Sequence, residues 1–477
     1  MKRALSRKNL WEGLPPTAKS VVGSLLSIFP LKYLLGRQFS RHLRFLEEAQ
    51  CWPPERFRSY QIGELRRICT LAYERTPYYR RSFKEVGFDP RDLKGIEDLQ
   101  GVPMINRTIV RENLKEMVTV SVKSPMVDYV VTNGTSGEPL GFYIGSNRHQ
   151  IEYAYTILGW QRSGFRLGMK TAVFKGRIVS QDHSGLWHEY DPILRQHFYS
   201  SFHMTQEDMQ RYVEHLQNIG PCFLHVNPSA VAILARFIQR SGIEPPANVR
   251  GIIAESEIVY PEQRQMVEET FRCKYFSCYG HTEKLVAASE CEKSTNYHVW
   301  PTYGFFELLD EKGRWVTTPG QRGEIVGTGF INTVVPFIRY RTGDCATYVG
   351  DHCQECGRAH PIIADIRGHR LQEFLVASDS SLVTFSFLVS HNEALENVLR
   401  FQFYQDTPGR ALLRIIPMDV FSKDDELRIL RSLNRVINER LKFTIDIVES
   451  IPLIGSAKAK YVDQHISGIE SLREGTF

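Results

Sequence analysis

A polar loop near residue 130 carries the residue types that bind phosphate groups. Residues 129–141 read YVVTNGTSGEPLG, in which a β-branched run stops at a loop of Gly, Thr, Ser and Asn. Val130 and Val131 are predicted to end a buried strand. Glycine permits positive φ, and the hydroxyls and N–H groups of such a loop can cradle a phosphate. The candidate ligands are Thr132, Gly134, Thr135, Ser136 and Gly137. No Gly-Lys-Ser/Thr ends the loop, which excludes a Walker loop, and a polar hairpin turn is the alternative.

A second polar segment comes directly after the apolar run 275–278. Its residues are Tyr279, Gly280, His281, Thr282 and Glu283. We predict that a hydroxyl and a carboxylate here stand just past the C-terminal end of a strand, where open α/β sheets bind ligands. The alternative is an ordinary exit from a strand into a loop.

A third segment, residues 336–344, reads PFIRYRTGD and ends in Asp344, with Arg341 close by. An ionised carboxylate only accepts hydrogen bonds, so one at a glycine turn is suited to two ribose hydroxyls. A surface Thr-Gly-Asp turn is the alternative, but two arginines that flank a tyrosine in an apolar strand favour a functional site.

Cysteines form a separate group. Cys353 and Cys356 have the Cys-x-x-Cys spacing of metal ligands, and Cys291 and His298 lie upstream. Tetrahedral Zn²⁺ would accept this set of three thiolates and one imidazole. Free thiols packed beneath a β-rich layer are the alternative.

Length and composition limit the class of protein in which these candidate sites occur. A chain of 477 residues, 42% hydrophobic and 24% charged, predicts a globular protein of two or more domains. The balance of 59 basic against 54 acidic residues, without a long basic run, argues against a nucleic-acid binder. Nine cysteines and no signal-peptide pattern fit a reducing cytoplasm. Residues 21–35 are apolar but too short to span a bilayer, which leaves a packed helix or, alternatively, peripheral membrane contact.

The pattern of elements predicts an α/β fold. Residues 39–83 have helical spacing, broken before Thr76-Pro77. Short apolar runs then alternate with amphipathic helices, which implies βαβ units, and short strands with glycine turns fill residues 297–349 as a β-rich layer. A compact α+β tail follows. The predicted strands are 171–174, 222–226, 250–254, 273–278, 401–404, 411–416 and 444–448, and the predicted helices are 206–217, 229–240, 424–440 and one beginning at Pro261.

The motifs together resemble those of the adenylate-forming enzymes. The glycine loop, Y-G-H-T-E, R-Y-R-T-G-D and a lysine near the C-terminus come in that family's order, and R-Y-R-T-G-D resembles the phenylacetate-CoA ligase branch. That branch includes homologues associated with capsular polysaccharide. The resemblance implies a large N-terminal adenylate-forming domain and a small mobile α+β C-terminal domain. We expect a helical preface at 1–110, a nucleotide- and substrate-binding core at 111–366, a hinge at 367–373 and a lid at 374–477.

The resemblance also implies roles for single residues. Thr282 would contact phosphate, Glu283 would help hold Mg²⁺, and Tyr279 would stack near adenine. Asp344 would bind the ribose, with Arg341 beside it. The remaining implied site residues are Gly280 and His281 of the same pentapeptide, Glu257 in a segment that would line the adenine and the substrate, and Lys458, the catalytic lysine, with Lys460 as its competitor.

Three positions depart from the family pattern. Glu138 replaces a lysine of the glycine loop, His369 stands at the hinge arginine with Arg367 and Arg370 as substitutes, and Ala457 replaces a glycine before Lys458. Glu373 lies near the position of the hinge aspartate. If these departures abolish turnover, the chain would bind nucleotide without catalysis in a polysaccharide pathway.

The function that the resemblance implies is ATP- and Mg²⁺-dependent activation of a small-molecule carboxylate. The carboxylate would give acyl-AMP and pyrophosphate, and a thiol, with CoA as the expected acceptor, would then displace AMP. Transfer to an amine, a hydroxyl or a deazaflavin cofactor is the alternative. The identity of the acid and the oligomeric state, a homodimer included, stay open at this point.

Overall fold

The computed structural model describes most of the chain. The described residues are 31–132, 140–146, 148–177, 179–182, 184–257, 259, 261–367, 374–384, 388, 395, 397–417, 421–437, 440–451, 453–454, 458–459 and 462–467. Among them, no helix is both long enough and apolar enough to cross a membrane. Residues 21–30 of the apolar N-terminal segment lie outside this part of the chain.

Helices fill the described part of the N-terminal region, as predicted. They are α1 Leu31–Leu34, α2 Arg37–Ala49, α3 Pro54–Arg75, α4 Pro77–Glu85 and α5 Arg107–Asn113, with short 3₁₀ turns at Pro90–Asp92, Ile96–Gly101 and Leu114–Glu116. Thr76 makes the predicted break, because its hydroxyl donates to the Ala72 carbonyl at 2.7 Å and accepts from the Tyr79 N–H at 3.3 Å. Pro77 then supplies a fixed φ at the first position of α4.

One twelve-stranded hydrogen-bonded ladder forms the centre of the molecule. Its strands are β3 Lys170–Phe174, β4 His188–Asp191, β5 Gln196–Tyr199, β6 Cys222–Val226, β7 Val249–Ala254, β8 Tyr275–Gly280, β9 Ala287–Ser289, β10 Tyr297–Val299, β11 Gly304–Leu309, β12 Arg322–Gly329, β13 Tyr340–Gly350 and β14 Ile362–Arg367. Their order across the ladder is β11-β12-β13-β14-β10-β9-β8-β7-β6-β3-β5-β4.

The middle of the ladder is parallel, because β6 pairs in parallel with β3 and β7, and β7 pairs in parallel with β8. The helices between these strands are α7 Gln206–Asn218, α8 Pro228–Ser241 and α9 Pro261–Phe271, and α6 Arg148–Gln161 precedes β3. The βαβ units predicted from the apolar runs are therefore confirmed. The carboxyl ends of the four strands meet at one edge, where α/β sheets bind ligands.

Two features of the ladder go beyond the sequence prediction. The β-rich part continues the parallel block through the antiparallel pair β8 and β9, so both parts share one ladder. Strands β4 and β5 at the opposite end were not predicted. Their sequences, HEYD and QHFY, are four residues long and carry few of the apolar residues from which a strand is predicted.

The C-terminal region has its own sheet, as the predicted α+β tail required. The sheet consists of β17 Val398–Thr407, β18 Arg410–Pro417, β19 Lys442–Ile447 and β22 Val462–Gln464, and α10 Lys423–Ile437 connects β18 to β19. Short pairs are β15 Phe374–Val376 with β16 Leu382–Thr384, and β20 Leu453–Ile454 with β21 Lys458–Ala459. Phe202, from the segment after β5, is 7% exposed and packs into the apolar core of this region.

Candidate active site

Two of the predicted motifs meet through a direct contact. Tyr279, near the end of β8, donates its hydroxyl to Oδ2 of Asp344 at 2.8 Å. Gly280 is the last residue of β8, and the ring of His281 stands edge-on to that of Tyr279 with centroids 5.1 Å apart. The contact joins segments that are 65 residues apart in the chain. It therefore places the candidate ribose ligand at the carboxyl end of the parallel strands.

A bulge in β13 turns the Asp344 side chain toward Tyr279. The register between β12 and β13 shifts opposite Ile325, and Gly343 at the bulge has a φ of 77°, which favours glycine. Thr342 holds the bulge by donating to the Ile325 carbonyl at 2.7 Å and accepting from the Asp344 N–H at 3.0 Å. The Thr-Gly-Asp sequence thus acts as one local unit that orients a carboxylate.

The two arginines of this segment have different surroundings. Arg339 is buried and binds both carboxylate oxygens of Glu307, at 2.9 and 3.1 Å. It also donates to the carbonyls of Gln100 and Val102, both at 2.8 Å. Arg341 is largely exposed and donates through Nε to Glu324 at 2.9 Å. Arg339 is therefore structural, and Arg341 is the arginine next to the site.

Glu283 lies inward of these groups and is 5% exposed. The hydroxyl of Tyr340 donates to its Oε1 at 3.3 Å, and the Arg107 side chain also hydrogen-bonds to Tyr340. Burial, followed by the Glu283 charge, raises the pKa of Tyr340, so the phenol stays a donor. A carboxylate oxygen is a donor atom that Mg²⁺ prefers, so Glu283 fits the predicted metal role.

Thr282 lines a cavity of about 330 Å³ between α6 and the loop after β8. The other lining residues are Val130, Arg148, His149, Glu152, Tyr153, Thr156 and Lys284. Lys284 has a φ of 62° and its ammonium lies 2.5 Å from Glu152 Oε2. A positive φ is uncommon for a non-glycine residue, and residues with this backbone conformation cluster at functional sites. The cavity combines both signs of charge with aromatic and hydroxyl groups.

The glycine loop joins the strands of a hairpin, β1 Val127–Val131 and β2 Gly141–Gly145. Thr132 is buried at its base, where its hydroxyl accepts from the Leu140 N–H at 2.9 Å. The expectation that Val131 ends a buried strand is wrong, because the residue is 44% exposed on a two-stranded sheet. The predicted ligands Gly134, Thr135, Ser136 and Gly137, with Glu138, lie outside the described residues.

Sequence reasoning missed a charged group at the same edge of the sheet. Lys175 and Glu255 directly follow β3 and β7, and they form an ion pair. Nε2 of His225, on β6, lies 2.8 Å from Glu255 Oε1. Burial opposes ionisation of Glu255, but Lys175 and His225 outweigh it and hold the pKa of the carboxyl well below its usual range. The predicted Glu257 lies two residues further on and is half-buried.

The side chains of the cysteine group lie close together. The ligand atoms of Cys291, His298, Cys353 and Cys356 all lie within 4.8 Å of one another, and Cys356 Sγ is 3.3 Å from His298 Nε2. The Nδ1 of His298 lies 3.1 Å from the Asn296 carbonyl, a contact that leaves Nε2 for a metal. Cys291 Sγ accepts from the Ser294 N–H at 3.2 Å. Four such ligands fit tetrahedral Zn²⁺.

The tail and hinge motifs are described only in part. Lys458 is in β21 and pairs with Ile454 in an antiparallel register. Lys460 and Ala457, and the hinge residues His369, Arg370 and Glu373, lie outside the described residues. The backbone of Arg367 ends β14.

Comparison with known proteins gives consistent relatives. Residues 375–465 match the family described as CapK C-terminal domain. A phenylacetate-coenzyme A ligase of Thermus thermophilus is 25% identical over 338 residues, 70% of this chain and 75% of the relative. Protein CapK of Staphylococcus aureus is 22% identical over 376 residues, 78% of this chain and 81% of that one. The structure of 2-hydroxyisobutyryl-CoA ligase in the postadenylation state with 2-HIB-AMP aligns at a TM-score of 0.57 and 20% identity, covering 90% of this chain and 94% of that chain.

The structural and the sequence likenesses agree with each other. The structural match shows that the fold is that of an adenylate-forming CoA ligase, with a large α/β part and a separate C-terminal domain. The sequence matches are to phenylacetate-CoA ligases and CapK, so the resemblance stated from the motifs is confirmed.

Proposed function

We propose that this chain is an AMP-forming acid–thiol ligase that activates a small carboxylic acid with ATP and transfers the acyl group to CoA. The observation that carries the proposal is the contact between Tyr279 and Asp344, which joins two nucleotide motifs beside the cavity that Thr282 lines. The relatives named as phenylacetate-CoA ligases support the same reaction class.

In the first half-reaction, a substrate carboxylate oxygen attacks the α-phosphorus of ATP, and the bond to pyrophosphate breaks. In the second, the sulfur of CoA attacks the acyl carbon, AMP leaves with the bonding electrons, and the thiol proton is released. The chain supplies positioning and charge neutralisation for both steps. Asp344 would hold the ribose, Thr282 would contact phosphate, and Glu283 would hold Mg²⁺, which neutralises phosphate charge when bound.

The hairpin loop and the tail lysine complete this proposal. The loop at residues 133–139 would cradle the phosphates, and Lys458 would approach the transferring oxygen when the C-terminal domain closes. We propose Zn²⁺ at the cysteine group as a structural metal, because three thiolates and an imidazole form a closed ligand set. The domain boundaries, peripheral membrane contact, a homodimer and a cytoplasmic location remain predictions.

An assay of pyrophosphate release with ATP, Mg²⁺ and a panel of aryl, fatty and sugar acids tests the proposal. We expect one class of acid to give pyrophosphate and a thioester that forms only with CoA. Adenylation without any dependence on CoA would point to an amine or hydroxyl acceptor. Tight ATP binding without turnover of any acid would contradict the ligase function.

Lys458→Ala tests the division into two half-reactions. We expect acyl-AMP formation to slow by about 10²–10³-fold or more, since removing one group aimed at developing negative charge costs roughly 3–4 kcal/mol. Thioester formation from supplied acyl-AMP should survive, because the tail lysine serves one step only. Lys460→Ala is the matched control, and the opposite pattern would place the catalytic lysine two residues later.

A further inference from the structure

We propose that His188, His197 and His215 form a second metal site, which binds a divalent transition metal such as Zn²⁺ at the outer end of the large sheet. The three ligand atoms all lie within 4.8 Å of one another. The histidines come from β4, β5 and α7, whereas the cysteine group lies around β10 and the loop before β14. The two sites therefore share no ligand and no element.

The positions of the rings are close to those of a metal-bound set. His188 Nε2 and His197 Nδ1 are 3.0 Å apart, and two nitrogens on one tetrahedral Zn²⁺ stand roughly 3.3 Å apart. The His215 ring centroid lies 4.5 Å from that of His188 and 5.8 Å from that of His197. Small side-chain rotations would bring all three nitrogens to one ion.

A neighbouring side chain orients one of the rings. The Tyr199 hydroxyl lies 2.7 Å from His215 Nδ1, a contact that fixes the ring and leaves Nε2 for the metal. Metal-binding histidines have such a partner on the other nitrogen as a rule. Asp182 is close enough to act on the charge of both His188 and His215, so one carboxylate would balance part of the metal charge.

The protonation state of the rings is consistent with this geometry. Burial, together with the neighbouring imidazoles, lowers the pKa of His188 to about 4 and that of His197 to about 3. Neutral imidazole is the form that binds Zn²⁺, Cu²⁺ and Ni²⁺. The 3.0 Å contact pairs two of the three rings. A bound ion would engage all three and link the edge strands to α7.

The test uses untagged full-length protein stripped by a chelator and then titrated with Zn²⁺. We expect His188→Gln and His215→Gln each to lose one equivalent of bound Zn²⁺ relative to wild type. The double variant Cys353→Ser, Cys356→Ser should keep that equivalent, so failure of the cysteine site is seen separately. His465→Gln is the matched control, because this histidine is exposed and lies outside the group.

Tyr199→Phe provides a finer measurement, since loss of the contact to His215 should weaken Zn²⁺ binding by about tenfold or more. If a histidine variant does not fold, Zn²⁺ protection of the three histidines from diethylpyrocarbonate is measured in wild type by mass spectrometry. Protection supports the site. Folded histidine variants that bind as many equivalents as wild type with equal affinity, or modification unaffected by Zn²⁺, would overturn it.

Discussion

Arg339 and Arg341 are two residues apart, yet Arg339 forms a buried ion pair and Arg341 an exposed one. The side chains of Arg339 and Glu307 are 5% and 0% exposed, whereas those of Arg341 and Glu324 are 53% and 18% exposed. Arg339 of the first pair also attaches the segment at Gln100 and Val102 to the sheet, through its bonds to their carbonyls. Arg341 of the second pair lies on the bulged strand that carries Asp344, so we propose that charges of the same type serve stability at one position and ligand binding at the other.

The largest expected effect is that of Asp344→Ala on ATP binding. Asp344→Ala should abolish measurable ATP binding in calorimetry while the unfolding transition stays near that of wild type, because the carboxylate contacts the Tyr279 hydroxyl and is not part of the apolar core. Asp351→Ala, a change to an exposed carboxylate beyond the end of the same strand, is the control. Unchanged ATP affinity in Asp344→Ala would remove this residue from the site.

The next largest effect is that of Arg339→Met on the stability of the protein. Arg339→Met should lower the free energy of unfolding by about 3–5 kcal/mol in urea denaturation, because it leaves the Glu307 carboxylate buried without its charged partner. Adding Glu307→Leu should restore much of the loss, since a buried pair is often replaceable by apolar residues. A loss below about 1 kcal/mol for Arg339→Met, as at exposed pairs, would make the two arginines equivalent and end the comparison.

The smallest expected effect is that of Arg341→Met on stability, within about 1 kcal/mol, because an exposed ion pair contributes little. The same variant should weaken ATP binding by roughly tenfold, as the loss of one charged hydrogen bond does. Calorimetry and urea denaturation on one preparation separate the two quantities. Lower stability with full ATP affinity would give Arg341 the structural role of its neighbour.

Much of the central fold could be predicted, because the strands near residues 172, 224 and 252 are continuous apolar runs between amphipathic helices. Strands β4 and β5 could not be predicted, because their short polar sequences have no regular alternation of apolar and polar residues. The contact between Tyr279 and Asp344 could be predicted from the sequence only in part. Each residue stands in a recognisable motif, but the bulge that brings them together depends on the register of β12 and β13.

The groups that sequence reasoning missed share one property. Lys175, His225 and Glu255 come from three strands, and the three histidines of the proposed metal site come from two strands and a helix. No short spacing marks either group. Cys353 and Cys356, by contrast, were found because both lie on one turn, where spacing in the chain reports distance in space.

We expect Phe202 to affect the timing of catalysis if the C-terminal domain rotates between half-reactions. Its ring is inserted into the apolar core of the C-terminal domain, although its backbone belongs to the large domain. Rotation of the C-terminal domain between half-reactions would withdraw the ring into water, at a cost of about 1.5–3 kcal/mol for a side chain of this size. Such a cost is comparable to a tenfold or hundredfold change in a conformational rate constant. Phe202 would then slow the rotation of the C-terminal domain. A smaller residue at this position would shorten the lifetime of the domain arrangement that the structure shows.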